Sequence, residues 1–550
     1  MSKDYRDNHT PTKTVMEEEP EFIASGKKAL SFFTALFLIA VLFVFPLYYR
    51  NYYFDILNAK YQFYYLSVLI MAGCVLATGI VMMVLDLAQY RGKYTLQFLE
   101  RFSLGNLRKT LTVPDIAMIC FLLVAIVSTL QSEYMYEAFW GNEGRFTGLF
   151  LLLLYGLSFF IISKLLRFSG WFLEIFLVAS ILVCLFGITD FFQLNLLHFK
   201  DHISEKQYDI FTSFLGNINT YTAFVSLTTG VASVLYASSK KIWKSIWYYV
   251  CLVIALFAII TGQSDNAYLA LLALFGLLPL YMFGSWSGIK RYAVILASFF
   301  TVIQAIDTIS QKMPDQVLKI EGIFSVLVRF SGLAYIVIAL WFLVGVLYLS
   351  SYVFKKKEIA VGVWPRRVWA ILVVVVILAG LAVLYDANVA GNGERYGALR
   401  NYVVINDEWG THRGYIWRIG LENYKEFPLI HKIFGYGPDT FGIITVNNNY
   451  DEMVSRYNEI FDSAHNEYLQ YFVTIGPIGL ISYLVLLVSA VLRMVRKAGD
   501  NPYVAAAAFS LVCYGAQAFV NINLPIAAPV MWTLMMVGLA GCREGQKSTS

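Results

Sequence analysis

His465-Asn466 stands at the entry to an apolar segment that runs Glu467-Tyr468-Leu469-Gln470-Tyr471-Phe472-Val473-Thr474-Ile475-Gly476-Pro477-Ile478-Gly479. The pair closes a polar stretch, Ala387 to Ala464, in a chain whose other apolar segments are joined by short connections. A long loop between short ones usually holds the specific chemistry of a protein. Asp462-Ser463 are good N-cap residues for the apolar helix that follows, which places His465 in its first turn. The helix N-terminal dipole disfavours imidazolium there, and a neutral imidazole can take a proton from a hydroxyl. The plainer alternative is an interfacial histidine without chemistry.

The same loop carries ten Asp and Glu against seven Lys and Arg, so it is not a cationic surface for nucleic acid or other polyanions. Five of its cations are arginines: Arg395, Arg400, Arg413, Arg418 and Arg456. Their planar forks suit phosphate oxygens; the competing expectation is pairing with neighbouring carboxylates. Ile416, Ile419 (or Gly420) and Tyr424 recur at helical spacing along Arg413 to Tyr424, and the aromatics suit a helix lying at headgroup level. Pro428 and Gly435-Tyr436-Gly437-Pro438-Asp439 break it. A second short helix is expected around Met453 to Phe461.

Other polar corners lie on the same face. Arg145 sits in a glycine-flanked turn, Gly141-Asn142-Glu143-Gly144-Arg145-Phe146-Thr147-Gly148. Asn217 and Asn219 open an apolar segment in Gly216-Asn217-Ile218-Asn219. Asp265 occupies a short corner, Gln263-Ser264-Asp265-Asn266. Arg329 is either an intramembrane cation, and so a functional-site candidate, or a snorkelling residue at a helix start.

These residues need a scaffold, and the composition says which. The chain has 550 residues, 58% hydrophobic and 14% charged. Apolar runs long enough to cross a bilayer recur throughout. The expected fold is all-α, a polytopic bundle of about 12–14 spans. Fourteen are predicted, at 29–49, 63–88, 115–131, 147–163, 171–192, 220–237, 245–262, 268–284, 292–309, 323–353, 368–386, 467–492, 503–520 and 527–540. Residues 1–28 read as a cytosolic tail without a signal-peptide cleavage site, 29–386 as eleven spans, 387–464 as the long outer loop, 465–540 as three more spans and 541–550 as a second tail. With the N-terminus inside, 27 Lys and Arg are cytoplasmic, including Lys355-Lys356-Lys357, against seven in the short outer loops. This bias favours both termini inside and the long loop outside. Five of six histidines, all but His9, then lie on the outer face. None of the six cysteines lies in the long loop, so no disulfide framework or thiolate metal site is suggested.

The stretch His465-Asn466, nine residues, then Gly476-Pro477-Ile478-Gly479 resembles the signature of the O-antigen ligase superfamily, which also includes Wzy-type polymerases and bacterial protein O-oligosaccharyltransferases. The Gly144-Arg145-Phe146 turn, the Gly216-Asn217-Ile218-Asn219 entry, and Arg413 to Trp417 followed by Pro428 and Gly435 to Pro438 occur in the same order. The likeness spans roughly residues 140 to 540. It implies an inverting glycosyltransferase of the outer face of the bacterial plasma membrane that uses no metal and no cofactor. The donor would be a glycan on a polyprenyl diphosphate, typically undecaprenyl, and the acceptor a hydroxyl on a lipid, sugar or protein. Carried over, His465 is the general base and Arg413 a diphosphate-contacting cation. Arg145, Arg329, Arg418, Asn217, Asn219, Asp265 and Asn466 are the further substrate-binding candidates. One departure stands out: members often have Ser-Arg where this chain has Ser264-Asp265. Arg329, Arg418 or Arg145 would then substitute for that arginine, with Asp265 binding acceptor hydroxyls. Tyr468, Tyr471, Trp409 and Trp417 are candidate sugar platforms, or simply interfacial aromatics.

Within the family, ligase and polymerase differ in acceptor, and both readings stay open. A flippase or transporter is the alternative from another class, although no internal repeat supports it. A zinc site on His198 and His202, spaced i, i+4, lacks an evident third ligand.

Overall fold

The computed structural model describes residues 19–353, 361–499 and 501–547. In chain order its principal helices are α1 (Glu21–Leu47), α2 (Ile56–Tyr90), α3 (Val113–Leu130), α4 (Leu149–Leu165), α5 (Trp171–Phe191), α6 (Ile218–Ser238), α7 (Ile242–Thr261), α8 (Asn266–Met282), α9 (Trp286–Lys312), α10 (Leu333–Val353) and α11 (Trp364–Asn388). The long loop contributes α12 (Trp409–Glu426) and α13 (Phe441–Tyr457), and α14 (Glu467–Thr474) follows it. The chain continues in α15 (Gly476–Lys497), α16 (Pro502–Val520) and α17 (Ala528–Arg543). The only strand pairing among the described residues joins Phe211–Thr212 to Gly216–Asn217.

Ten of these helices are long and apolar enough to cross a bilayer: α1, α2, α3, α5, α7, α9, α10, α11, α15 and α16. Shorter apolar helices α4, α8 and α17 and the less apolar α6 fall where the other predicted spans stand. The protein is an all-α, multi-pass membrane protein. His9, Lys355-Lys356-Lys357, residues 1–18 of the first predicted tail and 548–550 of the second lie outside the described residues.

Helix α6 is the centre of the bundle. Every residue from Thr220 to Tyr236 is buried, so none of its faces meets lipid, and it needs less apolarity than a peripheral span. The hydroxyls of Thr222, Ser226, Thr228 and Thr229 bond back to their own helix, as Thr229 does to the Val225 carbonyl. Small residues let helices approach where no water-driven force pushes them together. Ala505 to Ala508 of α16 are wholly buried in the closely packed neighbour. Helix α11 is the opposite case, with none of its apolar window buried.

Two predicted spans are broken. The stretch 323–353 divides into Gly322–Val328 and α10, and Arg329 caps the first helix, exposed in the turn between them. The stretch 467–492 divides into α14 and α15 at Ile475. There two glycines face each other. Gly435 (φ +75°) and Gly476 (φ +77°) both adopt backbone that favours glycine. A Cβ on Gly435 would lie 2.3 Å from the Thr474 carbonyl, and one on Gly476 2.2 Å from the Ile433 oxygen. The Gly437 amide and the Ser128 hydroxyl both donate to the Thr474 carbonyl, each at 2.9 Å. Gln131 Nε2 donates to the Gly435 carbonyl at 2.7 Å. The loop turn, the top of α3 and the α14–α15 break are thus one unit.

The loop has a core of its own. Tyr415, Ile416 and Ile419 of α12 pack with Phe441, Ile444 and Met453 of α13 and with Phe461, Ala464 and Val473. The apolar face expected to lie on the membrane surface is instead spent on this core. Helix α13 also begins twelve residues before Met453 and ends at Tyr457, leaving 458–466 irregular.

Candidate active site

His465 lies near the end of that irregular segment in a left-handed conformation, φ +45°, immediately before the cap residue of α14. The helix is capped by Asn466, whose side-chain oxygen accepts from the Tyr468 and Leu469 amides, each at 3.0 Å. This corrects the expected placement: Asp462 and Ser463 are not the cap, and His465 is not in the first turn. Asn466 is a cap residue, its oxygen committed to the helix. A non-glycine residue in left-handed backbone is a strained feature of the kind that gathers at functional sites.

Among the five described histidines, His465 alone has no hydrogen bond, ion pair or ring contact. His198 pairs with Asp201, and His202 stacks on Tyr52. His412 pairs with Glu408, and His431 meets the Gly435 carbonyl and stacks on Tyr436. His198 and His202 are thus occupied separately, and no group of three His, Cys, Asp or Glu arranged to hold a metal occurs among the described residues. Burial lowers the His465 pKa to about 3, helped by the charges of Arg413 and Arg145 and opposed by Asp462. The ring is therefore neutral at physiological pH. The cause is burial beside two cations rather than a helix dipole.

The arginines sort by their partners. Arg413, only 8% exposed, opens the regular part of α12 after three residues with positive φ, Gly410, Thr411 and His412. It donates to the Gly410 carbonyl at 2.8 Å, while its Nε is buried without a partner. Burial lowers its pKa and the nearby Asp265 charge opposes that shift. Arg145 is held by both oxygens of Asp462. The structure thus brings the charges of Arg413 and Arg145 close to His465 and that of Asp265 close to Arg413, from three separate segments of the chain.

Arg418 is not part of this group. It is clamped by Asp407, Glu422 and Glu452, and Arg456 shares Asp407 and Glu452. The fork is filled by carboxylates, so Arg418 does not stand in for the arginine missing beside Ser264. Arg395 and Arg400 pair with Asp386 and Glu394. The Arg329 side chain is exposed, at the turn between two helices, with no side-chain hydrogen bond or ion pair among the described residues.

The candidate amides Asn217 and Asn219 are occupied by architecture. Asn217 caps α6 by accepting from the Asn219 amide at 2.8 Å. Asn219 accepts from the Ser264 hydroxyl through its side chain, and its carbonyl accepts from Asn266 and Asn521, each at 3.0 Å. These contacts tie the N-terminal ends of α6 and α8 to the C-terminal end of α16. Asp265 accepts from the Ile323 amide at 3.3 Å.

Sequence reasoning missed a small cavity at the end of the long loop, bordered by Arg145, Asp439, Ser463, Glu467, Tyr471 and Asn523 among others. Asp439 fixes one wall by accepting from the Asn142 amide at 2.8 Å and the Thr147 amide at 3.1 Å. Burial pushes its carboxyl up to about 6 against those bonds. Asn523 lies in the corner Asn521-Ile522-Asn523 after α16, whose two amides were the available signal. Glu467 directly follows the His465-Asn466 pair. Of the proposed sugar platforms, Tyr471 borders the cavity, Tyr468 donates to the Gly515 carbonyl, and Trp417 donates to the Ala464 carbonyl.

No curated protein sequence matches the chain. Residues 317–484 match the family model Wzy_C, described as O-Antigen ligase. The match takes in Arg413, His465 and Glu467 and stops before Asn523; Arg145 and Asp265 lie ahead of it. Over that segment, about a third of the chain, it is similar to the O-antigen ligase family.

Proposed function

We propose that this protein is an inverting glycosyltransferase that moves a glycan from a polyprenyl diphosphate to an acceptor hydroxyl on the outer face of the plasma membrane, with both termini cytoplasmic. The reading rests on one observation: a neutral, hydrogen-bond-free His465 beside two arginines drawn from distant parts of the chain.

In this reading His465 takes the proton of the attacking hydroxyl as its oxygen bonds to the anomeric carbon. The bond from that carbon to the diphosphate breaks on the opposite side, so the configuration inverts. Negative charge grows on the departing diphosphate, and Arg413, whose Nε lacks a partner, stabilises it more in the transition state than before. Arg145 contributes more weakly because Asp462 already holds it. The two arginines depress His465 in the free protein, and a bound diphosphate offsets them. Donor binding then raises the basicity of the imidazole by the arginines' share of the depression, while burial's larger share remains, which couples base strength to the presence of substrate. The long polyprenyl tail would lie along the apolar bundle.

The test is a surface-glycan profile of a deletion strain beside a His465→Ala strain, with carrier lipid isolated from both. Loss of a surface glycan and accumulation of carrier-linked glycan in both strains is expected. Single repeat units on the carrier mark a polymerase, and long chains a ligase. A normal His465→Ala strain beside an altered deletion strain contradicts the reading and favours transport or scaffolding.

A further inference from the structure

A general base is usually aimed by a third group that holds it. His465 has no such group. Among the described residues its imidazole makes no hydrogen bond, ion pair or ring contact, and the charges near it are those of Arg413, Arg145 and Asp462. The direction of the ring is therefore set by the backbone that carries it. That backbone is left-handed, φ +45°, and a strained torsion persists only where its surroundings over-determine it.

The surroundings are the two neighbouring residues. On one side Asn466 is locked as the cap of α14 by the Tyr468 and Leu469 amides. On the other, both backbone groups of Ala464 are held by side chains. The Ala464 amide donates to Gln470 Oε1 at 2.9 Å. The Ala464 carbonyl accepts from Trp417 Nε1, also at 2.9 Å. That carbonyl lies in one peptide plane with the His465 nitrogen, so the indole fixes one side of the strained torsion. Ala464 is fully buried, where water does not compete for either bond.

The indole is itself held. Its ring centroid lies 5.2 Å from that of Trp409 and 5.6 Å from that of Phe519. Trp417 stands four residues after Arg413 on α12, one turn along the same face. A single bond thus ties the helix that carries Arg413 to the segment that carries His465, and Gln470 holds the same residue from α14.

We infer that Trp417 and Gln470 are positioning residues for His465: through the Ala464 backbone they aim an imidazole that no side chain holds, and Trp417 sets its place relative to Arg413. The effect on rate rests on the transferase reading; the clamp on the backbone does not. A sugar platform would need the ring of Trp417, whereas the clamp needs its N–H.

The experiment compares the full chain in nanodiscs as wild type, Trp417→Phe, Gln470→Leu, Gln470→Glu and His465→Ala. Phenylalanine keeps an aromatic face and loses the N–H. Glutamate keeps an oxygen for the Ala464 amide, and leucine does not. Transfer is measured with carrier-linked glycan and acceptor recovered from a deletion strain, and hydrogen–deuterium exchange is followed over residues 462–466. In Trp417→Phe and Gln470→Leu kcat is expected to fall about a hundredfold, the scale of an ångström-sized misplacement, with the donor KM unchanged and Gln470→Glu close to wild type. Exchange at the Ala464 amide rises about tenfold in the same two variants, the scale of one lost hydrogen bond. Wild-type kcat in Trp417→Phe beside an inactive His465→Ala overturns the positioning role and leaves the transferase reading standing. Wild-type transfer by His465→Ala would instead sink the transferase reading, and exchange then decides the clamp: an Ala464 amide as protected in both variants as in the wild type overturns it.

Discussion

At the scale of single residues, partners separate the arginines that their identity alone could not. Arg413 and Arg418 are five residues apart on one helix and both have carboxylates within reach of their charge. Arg418 spends its fork on three of them, at about one-third exposure, where each pair is worth under about 1 kcal/mol. Arg413 keeps a buried Nε unpaired. Arg418→Ala is therefore expected to lower transfer by less than about tenfold, and Arg413→Ala by more than about a hundredfold, the scale set by losing a transition-state donor. Transfer rates of the two purified variants check this ordering. A second expectation concerns pH. A base must be neutral, and His465 protonates only near pH 3, so kcat/KM should show no histidine limb between about pH 8 and 5. Removing Arg413 removes one cause of the depression, so in Arg413→Ala the acid limb moves up toward the ordinary 6.5. A limb that stays put belongs to another group such as Asp439 and would contradict the coupling. The sequence made His465 and Arg413 visible through their motif. It could not separate paired from unpaired arginines, because the carboxylates that fill Arg418 include Glu452, more than thirty positions away.

At the scale of elements, the site depends on a junction rather than on a continuous helix. Hydropathy reads 467–492 as one span, since Ile475 and Gly476 do not interrupt its apolarity. The break is set by the fit of Gly476 against Ile433, a contact between segments that no local pattern carries. Adding a Cβ there meets both a clash and a left-handed backbone, and the latter alone costs roughly 1–2 kcal/mol. Gly476→Ala is expected to lower the thermal midpoint and to lose transfer even where it folds; an unchanged midpoint with full transfer would mean the junction tolerates movement. The α12 stripe was legible as an amphipathic face, but its destination was not. Ile416 and Ile419 meet Phe441 and Met453 of a helix formed by residues too polar to signal it, among them Asn447, Asn448 and Asn449.

At the scale of the whole molecule, apolar runs were enough to read an all-α membrane bundle, because lipid demands helices whose backbone bonds are internal. The same logic hides the central helix: α6 is shielded from lipid by its neighbours, and so carries serines and threonines that dilute the signal. Its close approach to α16 is tested by Gly230, where a Cβ would lie 2.7 Å from the Phe509 carbonyl. Gly230→Leu should sharply reduce the yield of folded protein, whereas Val374→Leu on the outward face of α11 should not; equal yields would contradict a tightly packed centre. The bundle brings Arg145, Asp265 and Arg413 to the end of the long loop, and this convergence is what a reading along the chain cannot supply.

The central claim is that His465 removes a proton in glycan transfer. The direct measurement is single-turnover transfer by the purified protein in nanodiscs, using carrier-linked glycan and acceptor recovered from the deletion strain, for wild type and His465→Ala side by side. The account predicts a fall of roughly 10²–10⁴-fold in rate, the range of a lost general base, with unchanged folding and donor binding. Transfer by folded His465→Ala at the wild-type rate would contradict it.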